Sequence, residues 1–209
     1  MRFGGWARIA ALLLGVAGCA PTEPAAPTTV VAAAGPMVPA APAAPPEAPW
    51  PEFLAPAADF AVSLPKSPIL VKETAADDGS ASRTYQITRD KLVYIIAYTS
   101  SAPTTEDAMP LDGWLDSVRD GIATRMDAKP RDERRFTLGD ARGMDVVLDV
   151  PESDDGAPYT IRGRFYVRHA GTGEPARDML YQALVASDPG RETDASVVRF
   201  LDSFRFIER

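Results

Sequence analysis

Three arginines that share one side of a predicted strand are the side chains best placed to bind an anion. They are Arg162, Arg164 and Arg168. Their strand covers Tyr159–His169, and a guanidinium matches the planar geometry of a carboxylate or phosphate, such as a cell-wall carboxylate or a lipid headgroup. A second interpretation is internal, because hairpin register places Asp145 and Asp149 of the preceding strand on the same face. Cross-strand ion pairs of this kind stabilise hairpins, and we expect this pairing.

The other groups that could do chemistry stand apart from one another. His169 is the only histidine, and it lacks the second ligand or nucleophile that a metal site or catalytic triad requires. The acidic pairs Asp77-Asp78 and Asp154-Asp155 do not have the spacing of a calcium loop. Gly171-Thr172-Gly173 does not sit between a strand and a helix, as phosphate-binding loops do. The sequence therefore predicts no catalytic residue, no metal and no cofactor.

The first residues have the pattern of a secretory signal. Arg2 and Arg8 precede a short apolar run over residues 9–16, and small residues follow. A run of eight residues is too short to cross a bilayer as a helix, whereas this order of basic, apolar and small residues is typical of a signal peptide. We therefore expect residues 1–18 to be removed from the mature protein.

The only cysteine falls at the end of this signal. Val16-Ala17-Gly18-Cys19 resembles the bacterial lipobox, in which a branched aliphatic residue and two small residues precede cysteine. The resemblance implies cleavage between Gly18 and Cys19 and acylation of Cys19, so that two or three acyl chains hold the protein in the lipid bilayer. By resemblance to known sorting signals, Ala20 favours the periplasmic side of the outer membrane in a Gram-negative organism. We expect a cell-envelope protein.

A tether without a core of its own follows the cysteine. Residues 19–58 hold 11 of the chain's 20 prolines and few charges, and closely spaced prolines prevent helices and sheets from propagating. Trp50, Phe53 and Leu54 are large apolar residues late in this segment, and we expect them to be mobile because their burial would barely offset the ordering cost. One folded domain is therefore predicted over residues 59–209.

Hydrophobic periodicity in this domain predicts strands, a helix, four antiparallel strands, a second helix and a last strand. Apolar residues at helical spacing run from Leu111 to Met126 and again over residues 194–203. Residues 92–98 are apolar on both faces and predict a central strand. The predicted strands are 60–64, 69–73, 83–88, 91–99, 131–138, 144–150, 159–169, 179–187 and 205–207.

The order of several packing motifs resembles that of bacterial PsbP-like or DcrB-like domains. The motifs are Phe60-Ala61-Val62-Ser63-Leu64-Pro65 with Pro68, the strand around Gly143, Leu180-Tyr181-Gln182-Ala183-Leu184-Val185 and the closing Phe200-Leu201-Asp202-Ser203-Phe204-Arg205-Phe206. The resemblance implies an α+β fold, an α/β/α sandwich with a central, mainly antiparallel sheet and two main helices. It implies no reaction, since such proteins are mostly accessory or assembly factors.

Charge excludes one further class of partner. The chain has a formal net charge of −7, and loss of Arg2 and Arg8 with the signal makes it −9, with no basic cluster suited to nucleic acid. We expect a membrane-anchored envelope lipoprotein that acts as a non-catalytic binding or accessory module with an envelope protein partner. The alternative is an envelope hydrolase acting on cell wall or lipid, because carboxylates alone can cleave glycosides. A purely structural role is the third possibility.

Overall fold

A computed structural model describes residues 49–56, 59–77, 79–103, 110–151, 156–170 and 177–207. Gly18, Cys19 and most of the predicted tether lie outside the described residues. So do Asp78, Asp154-Asp155 and Gly171-Thr172-Gly173. The predictions made for these positions therefore stay predictions.

Ten strands and two helices are seen in the described ranges. The helices are α1 (Leu111–Met126) and α2 (Ala195–Asp202). The strands are β1 (Glu52–Leu54), β2 (Phe60–Ser63), β3 (Ile69–Ala75), β4 (Ala81–Arg89), β5 (Leu92–Pro103), β6 (Lys129–Leu138), β7 (Ala141–Val150), β8 (Tyr159–Ala170), β9 (Arg177–Ser187) and β10 (Arg205–Phe206).

Most strands form one seven-stranded antiparallel sheet in the order β3-β4-β5-β9-β8-β7-β6. The predicted central strand is confirmed, because β5 lies between β4 and β9 and its residues 92–97 are buried on both faces. The outermost strand β6 carries Pro130 and a register shift between Pro130 and Asp132, features that suit an edge. A second, three-stranded sheet has the order β1-β2-β10.

Helix α1 covers one face of the large sheet at β7 and β8. It begins after Pro110, whose fixed φ suits a helix start, and after Met126 it is capped by Asp127, which adopts a left-handed conformation with φ of 48°. Its buried stripe of Leu115, Val118 and Ile122 joins a core that includes Met144 and Phe165. These contacts follow from the predicted helical spacing.

The opposite face of the large sheet is covered by α2 and the three-stranded sheet. Phe204 is the centre of this second core: its ring stacks on Phe60 at 5.2 Å and on Tyr166 at 4.2 Å between ring centroids. Val197, Phe200 and Leu201 of α2 are buried in the same core; the two helices thus lie on opposite faces.

The predicted α+β class with mainly antiparallel strands is confirmed, but strands dominate the fold. Helix α2 has eight residues against 16 in α1. The three-stranded sheet therefore shares with α2 the covering of its face, a contribution that the sequence analysis did not anticipate for β1.

The expectation that the large apolar residues at the end of the tether stay unpacked is wrong for Trp50 and Phe53, whereas Leu54 is 58% exposed. Phe53 of β1 lies at a ring-centroid distance of 4.9 Å from Tyr85, and Trp50 lies at 5.9 Å from Tyr94. The Arg199 guanidinium sits over the Trp50 ring at 4.7 Å, and strand β1 pairs with β2. The expectation counted only apolar area, whereas strand pairing and a cation–π contact also offset the ordering cost. The packed region includes residues before Asp59.

Candidate functional site

Two of the three stripe arginines bind one buried carboxylate. Asp145 is 8% exposed, and its Oδ2 lies 3.0 Å from Nε of Arg164 and 3.4 Å from Nη2 of Arg162. Arg162 also donates to the carbonyl of Glu192 at 3.1 Å. The predicted pairing of Arg162 and Arg164 with Asp145 is therefore confirmed.

The predicted pairing with Asp149 is wrong. Register sets Asp149 opposite Thr160 rather than opposite an arginine, and the Thr160 hydroxyl donates to its Oδ1 at 3.2 Å. The cation near Asp149 is Arg131 of β6, with its Nε at 3.4 Å from Oδ2. Asp149 lies on the same face of the sheet as the arginines of β8, but its partners are Thr160 of β8 and Arg131 of the edge strand β6.

Arg168 serves another part of the fold. It forms an ion pair with Asp59, and its guanidinium lies over the Phe206 ring at 4.4 Å. Asp59 also accepts a hydrogen bond from the Tyr181 hydroxyl at 2.6 Å. The residue before β2 is thereby tied to β8 and β9, so Arg168 fixes the small sheet onto the large one.

Arg164 also connects the large sheet to the end of α2. Its Nη1 donates to the Leu201 carbonyl at 3.0 Å, and its Nη2 lies 2.7 Å from Oδ1 of Asp202. Burial acts to lower the pKa of Arg164, but hydrogen bonds to Asp145 and Asp202 outweigh it and raise that pKa. The side chain stays charged and is held from both sides.

A groove opens beside these pairs, between the edge strand β6 and the residues that follow α2. Its floor depends on Gly143: a Cβ there would lie 2.4 Å from the Phe136 ring. The missing side chain lets the ring of Phe136 cross β7 and meet Tyr166 of β8 at a centroid distance of 5.5 Å. Burial raises the pKa of Tyr166 to about 12, so its hydroxyl stays protonated at neutral pH.

The groove has a volume of about 420 Å³ and is open to solvent on one side. Its lining combines aromatic and charged side chains. The lining residues are Arg134, Arg135, Phe136, Leu138, Arg164, Tyr166, Asp202 and Phe204. Arg134 and Arg164 lie on the groove's face of the sheet, whereas Arg135 lies on the face of α1, where it forms an ion pair with Asp116.

Among the lining arginines, Arg134 differs from the other two. Arg135 forms ion pairs with Asp116 and Glu133, and Arg164 is held as described above. Arg134 is exposed, and within the described ranges it has neither an ion pair nor a hydrogen bond through its side chain. It therefore presents an uncompensated guanidinium at the rim of the groove.

Sequence reasoning missed Arg134 and Phe136, although a signal for both was present. The two-residue turn Gly139-Asp140 sets the register of the β6–β7 hairpin and places Phe136 opposite Gly143. The same register places Arg134 opposite Asp145, on the face that carries Arg164. Counting outward from this turn could have identified both residues.

The single histidine has a local partner. Nδ1 of His169 lies 2.5 Å from Oδ1 of Asp178 on the adjacent strand, and His169 itself is 67% exposed. Across the described residues no group of three or more histidine, cysteine or acidic side chains is arranged to hold a metal ion. None of the described helices is long and apolar enough to cross a membrane.

Comparison with known proteins gives no further assignment. No protein-family model matches the chain, and no curated protein matches it.

Proposed function

We propose that this protein is a lipid-anchored protein of the cell envelope whose folded region is a non-catalytic binding or accessory module. The anchor rests on the lipobox-like Val16-Ala17-Gly18-Cys19, where the only cysteine of the chain occupies the position that is acylated. In an organism with two membranes, Ala20 favours the periplasmic side of the outer membrane. An extended polyproline chain over residues 20–48 would reach roughly 90 Å at ~3.1 Å per residue.

The fold assigned to the module is the α/β/α sandwich of PsbP-like or DcrB-like domains. Support comes from the positions of α1 and α2 on opposite faces of the seven-stranded sheet. It also comes from Phe204 of the closing motif, which packs between Phe60 and Tyr166 at the centre of one core. Such domains are mostly accessory or assembly factors, in keeping with a module that binds a partner.

The observation that carries the binding role is the groove beside β6. Concave surfaces with an apolar lining and a few polar groups are where proteins bind other molecules. The groove combines the Phe136 ring, supported by Gly143, with the unpaired guanidinium of Arg134. Arg162, Arg164 and Arg168, the arginines first considered from the sequence, form contacts within the fold. The proposed binding surface therefore lies at Arg134 instead.

The anchor is tested by growing bacteria that express the full chain with a fatty-acid probe. Wild-type protein is expected to carry the label and to sediment with membranes, whereas Cys19→Ser is expected to be unlabelled. Unlabelled wild-type protein in the soluble fraction would contradict the anchor.

The binding role is tested in the same cells with a photo-crosslinking residue at position 138, which lines the groove beside Phe136 and leaves Arg134 in place. Position 142 is a control, because Arg142 is exposed and alternation along β7 places it on the opposite face from Gly143. One stoichiometric protein crosslinked from position 138 and not from position 142 supports the module. Equal crosslinking from both positions contradicts it, and turnover of cell-wall fragments or lipid by the purified protein would favour the alternative, an envelope hydrolase.

A further inference from the structure

We infer that the edge strand β3 docks the folded region on the lipid bilayer, with Ile69, Leu70 and Val71 entering the interface of an anionic membrane. Lys66 and Lys72, which flank these residues, lie among the lipid headgroups. The inference rests on the proposed lipid anchor and names the surface with which the anchored domain meets its membrane. This surface is at the edge of the large sheet opposite to the groove beside β6.

The first argument is the exposure of apolar side chains at this edge. Ile69, Leu70 and Val71 are consecutive, and they are 65%, 48% and 40% exposed. We call these three residues the apolar edge. Exposed apolar side chains that lie together mark surfaces where a protein meets a membrane or another protein. The opposite edge strand, β6, exposes a run of mostly charged residues over 129–135 instead, which is the usual protection of a sheet edge.

The second argument is the charge around the apolar edge. Within the described ranges, neither Lys66 nor Lys72 forms an ion pair or a side-chain hydrogen bond. Residues 60–72 contain no carboxylate, and the carboxylate of Glu73 is paired with Arg83 at 2.6 Å. The chain as a whole has a net charge of −7. An anionic bilayer therefore repels most of the chain and attracts this edge, so that charge orients the domain.

The third argument is the place where the tether joins the fold. The amide of Leu64 donates a hydrogen bond to the carbonyl of Pro51 at 3.0 Å, and residues 65–68 connect Leu64 directly to the apolar edge. The chain that leads back to Cys19 thus enters the fold beside this edge. A tether to the membrane raises the effective concentration of the domain at the bilayer, so weak docking is sufficient.

The bilayer fits this edge better than an added strand or a second copy of the chain. The pairing of β3 with β4 has a register shift between Leu70 and Lys72, and such irregularities, together with lysines, hinder strand addition. A two-fold contact of antiparallel edges would bring Lys66 of one copy toward Lys72 of the other, and like charges repel. In a bilayer interface the lysine stems lie along apolar surface while their ammonium groups reach the headgroup phosphates.

The test measures partition onto lipid vesicles of the mature chain, residues 19–209, carrying Cys19→Ser. Neither a signal peptide nor an acyl chain then contributes to binding. Vesicles of phosphatidylglycerol are compared with vesicles of phosphatidylcholine at lipid concentrations up to several millimolar. The inference predicts at least about tenfold tighter partition onto the anionic vesicles, and weaker partition at higher salt.

Two variants assign the binding to β3. Leu70→Ser combined with Val71→Ser removes apolar contact and should weaken partition about 10- to 100-fold. Lys66→Gln combined with Lys72→Gln should weaken partition onto the anionic vesicles about 10- to 30-fold, because each lysine near the surface contributes to the attraction.

The matched control combines Lys129→Gln with Arg142→Gln, which removes two exposed charges from β6 and β7. It should change partition less than about twofold, because these charges lie away from β3. Melting temperatures of all variants are compared with that of the parent chain, so that a loss of binding is assigned only to folded protein.

Equal losses in the control and the lysine variant, no loss in either β3 variant, or no partition onto either vesicle would overturn the inference. A dimer in sedimentation that Leu70→Ser with Val71→Ser abolishes, or one protein crosslinked in cells from position 70, would assign the edge to a protein and overturn it too. Fatty-acid labelling of Cys19 in cells without vesicle binding rejects the docking and leaves the anchor standing. Vesicle binding with unlabelled Cys19 rejects the anchor and supports the docking surface.

Discussion

Asp145→Asn removes the carboxylate that Arg162 and Arg164 share and leaves two mostly buried guanidinium groups, 19% and 16% exposed, without that anion. Breaking a buried ion pair from one side costs about 3–5 kcal/mol. Both arginines keep other partners, Arg162 the Glu192 carbonyl and Arg164 the Leu201 carbonyl with Asp202. We therefore expect the free energy of unfolding to fall by about 2–3 kcal/mol.

The matched control is Asp149→Asn, on the same strand and the same face. Asp149 is 46% exposed and its cation, Arg131, is 47% exposed, so its loss should cost under about 1 kcal/mol. For a folded region of this size, each kcal/mol shifts the melting temperature by about 2–4 °C. Thermal unfolding followed by circular dichroism should thus separate the two variants by several degrees. Equal melting temperatures, or a larger loss in Asp149→Asn, would refute the assignment of the arginine stripe to stability.

Three further outcomes are expected. Burial raises the pKa of Tyr166 in the folded state to about 12, whereas its pKa in the unfolded chain is ~10. The stabilising contribution of this tyrosine should therefore be fully present below pH ~10. The free energy of unfolding should then fall by up to ~2–3 kcal/mol as the pH rises toward 12. The difference in absorbance at 295 nm between the wild type and Tyr166→Phe should show this tyrosine ionising near pH 12, and its titration near pH 10 in the folded protein would contradict its burial. Replacing Trp50 and Phe53 together by alanine should lower the free energy of unfolding by about 2–4 kcal/mol in chemical denaturation, and a change under ~1 kcal/mol would restore a mobile tether end. Gly143→Ala should displace the Phe136 ring and cost about 1–3 kcal/mol, whereas unchanged stability and unchanged aromatic NMR shifts would contradict the contact.

Local patterns were sufficient to predict most of the elements. The apolar run over residues 92–98 predicted a central strand, and the spacing of Leu115, Val118 and Ile122 predicted the buried stripe of α1. The turn Gly139-Asp140 also carries the register of the β6–β7 hairpin, although the sequence analysis did not use it. Each of these signals is contained in a short stretch of chain, since strand alternation and helical spacing are properties of neighbouring residues.

Contacts between distant segments were not predictable in the same way. Strand β1 is three residues long, and it is stabilised by pairing with β2 and by the contact of Phe53 with Tyr85. Which carboxylate binds Arg168 depends on where β2 crosses the sheet, and the answer, Asp59, lies 109 residues earlier in the chain. The groove depends on both local pattern and long-range packing. The register of the β6–β7 hairpin places Phe136, whereas Phe204 lines the groove only because α2 packs on this face of the sheet.

The central claim, that Arg134 is the free cation of a binding groove, is tested most directly by NMR on the arginine side chains. The Nε–Hε resonance of Arg134, assigned by comparison with Arg134→Gln, is followed while acetyl-Phe-Ala with a free carboxylate, a peptide with an aromatic ring for Phe136 and an anion for Arg134, is added to the Cys19→Ser full chain. The account predicts that this peptide shifts the Arg134 resonance in a saturable way and leaves that of Arg142 unchanged. An Arg134 resonance that stays in place, or that moves together with Arg142, would contradict it.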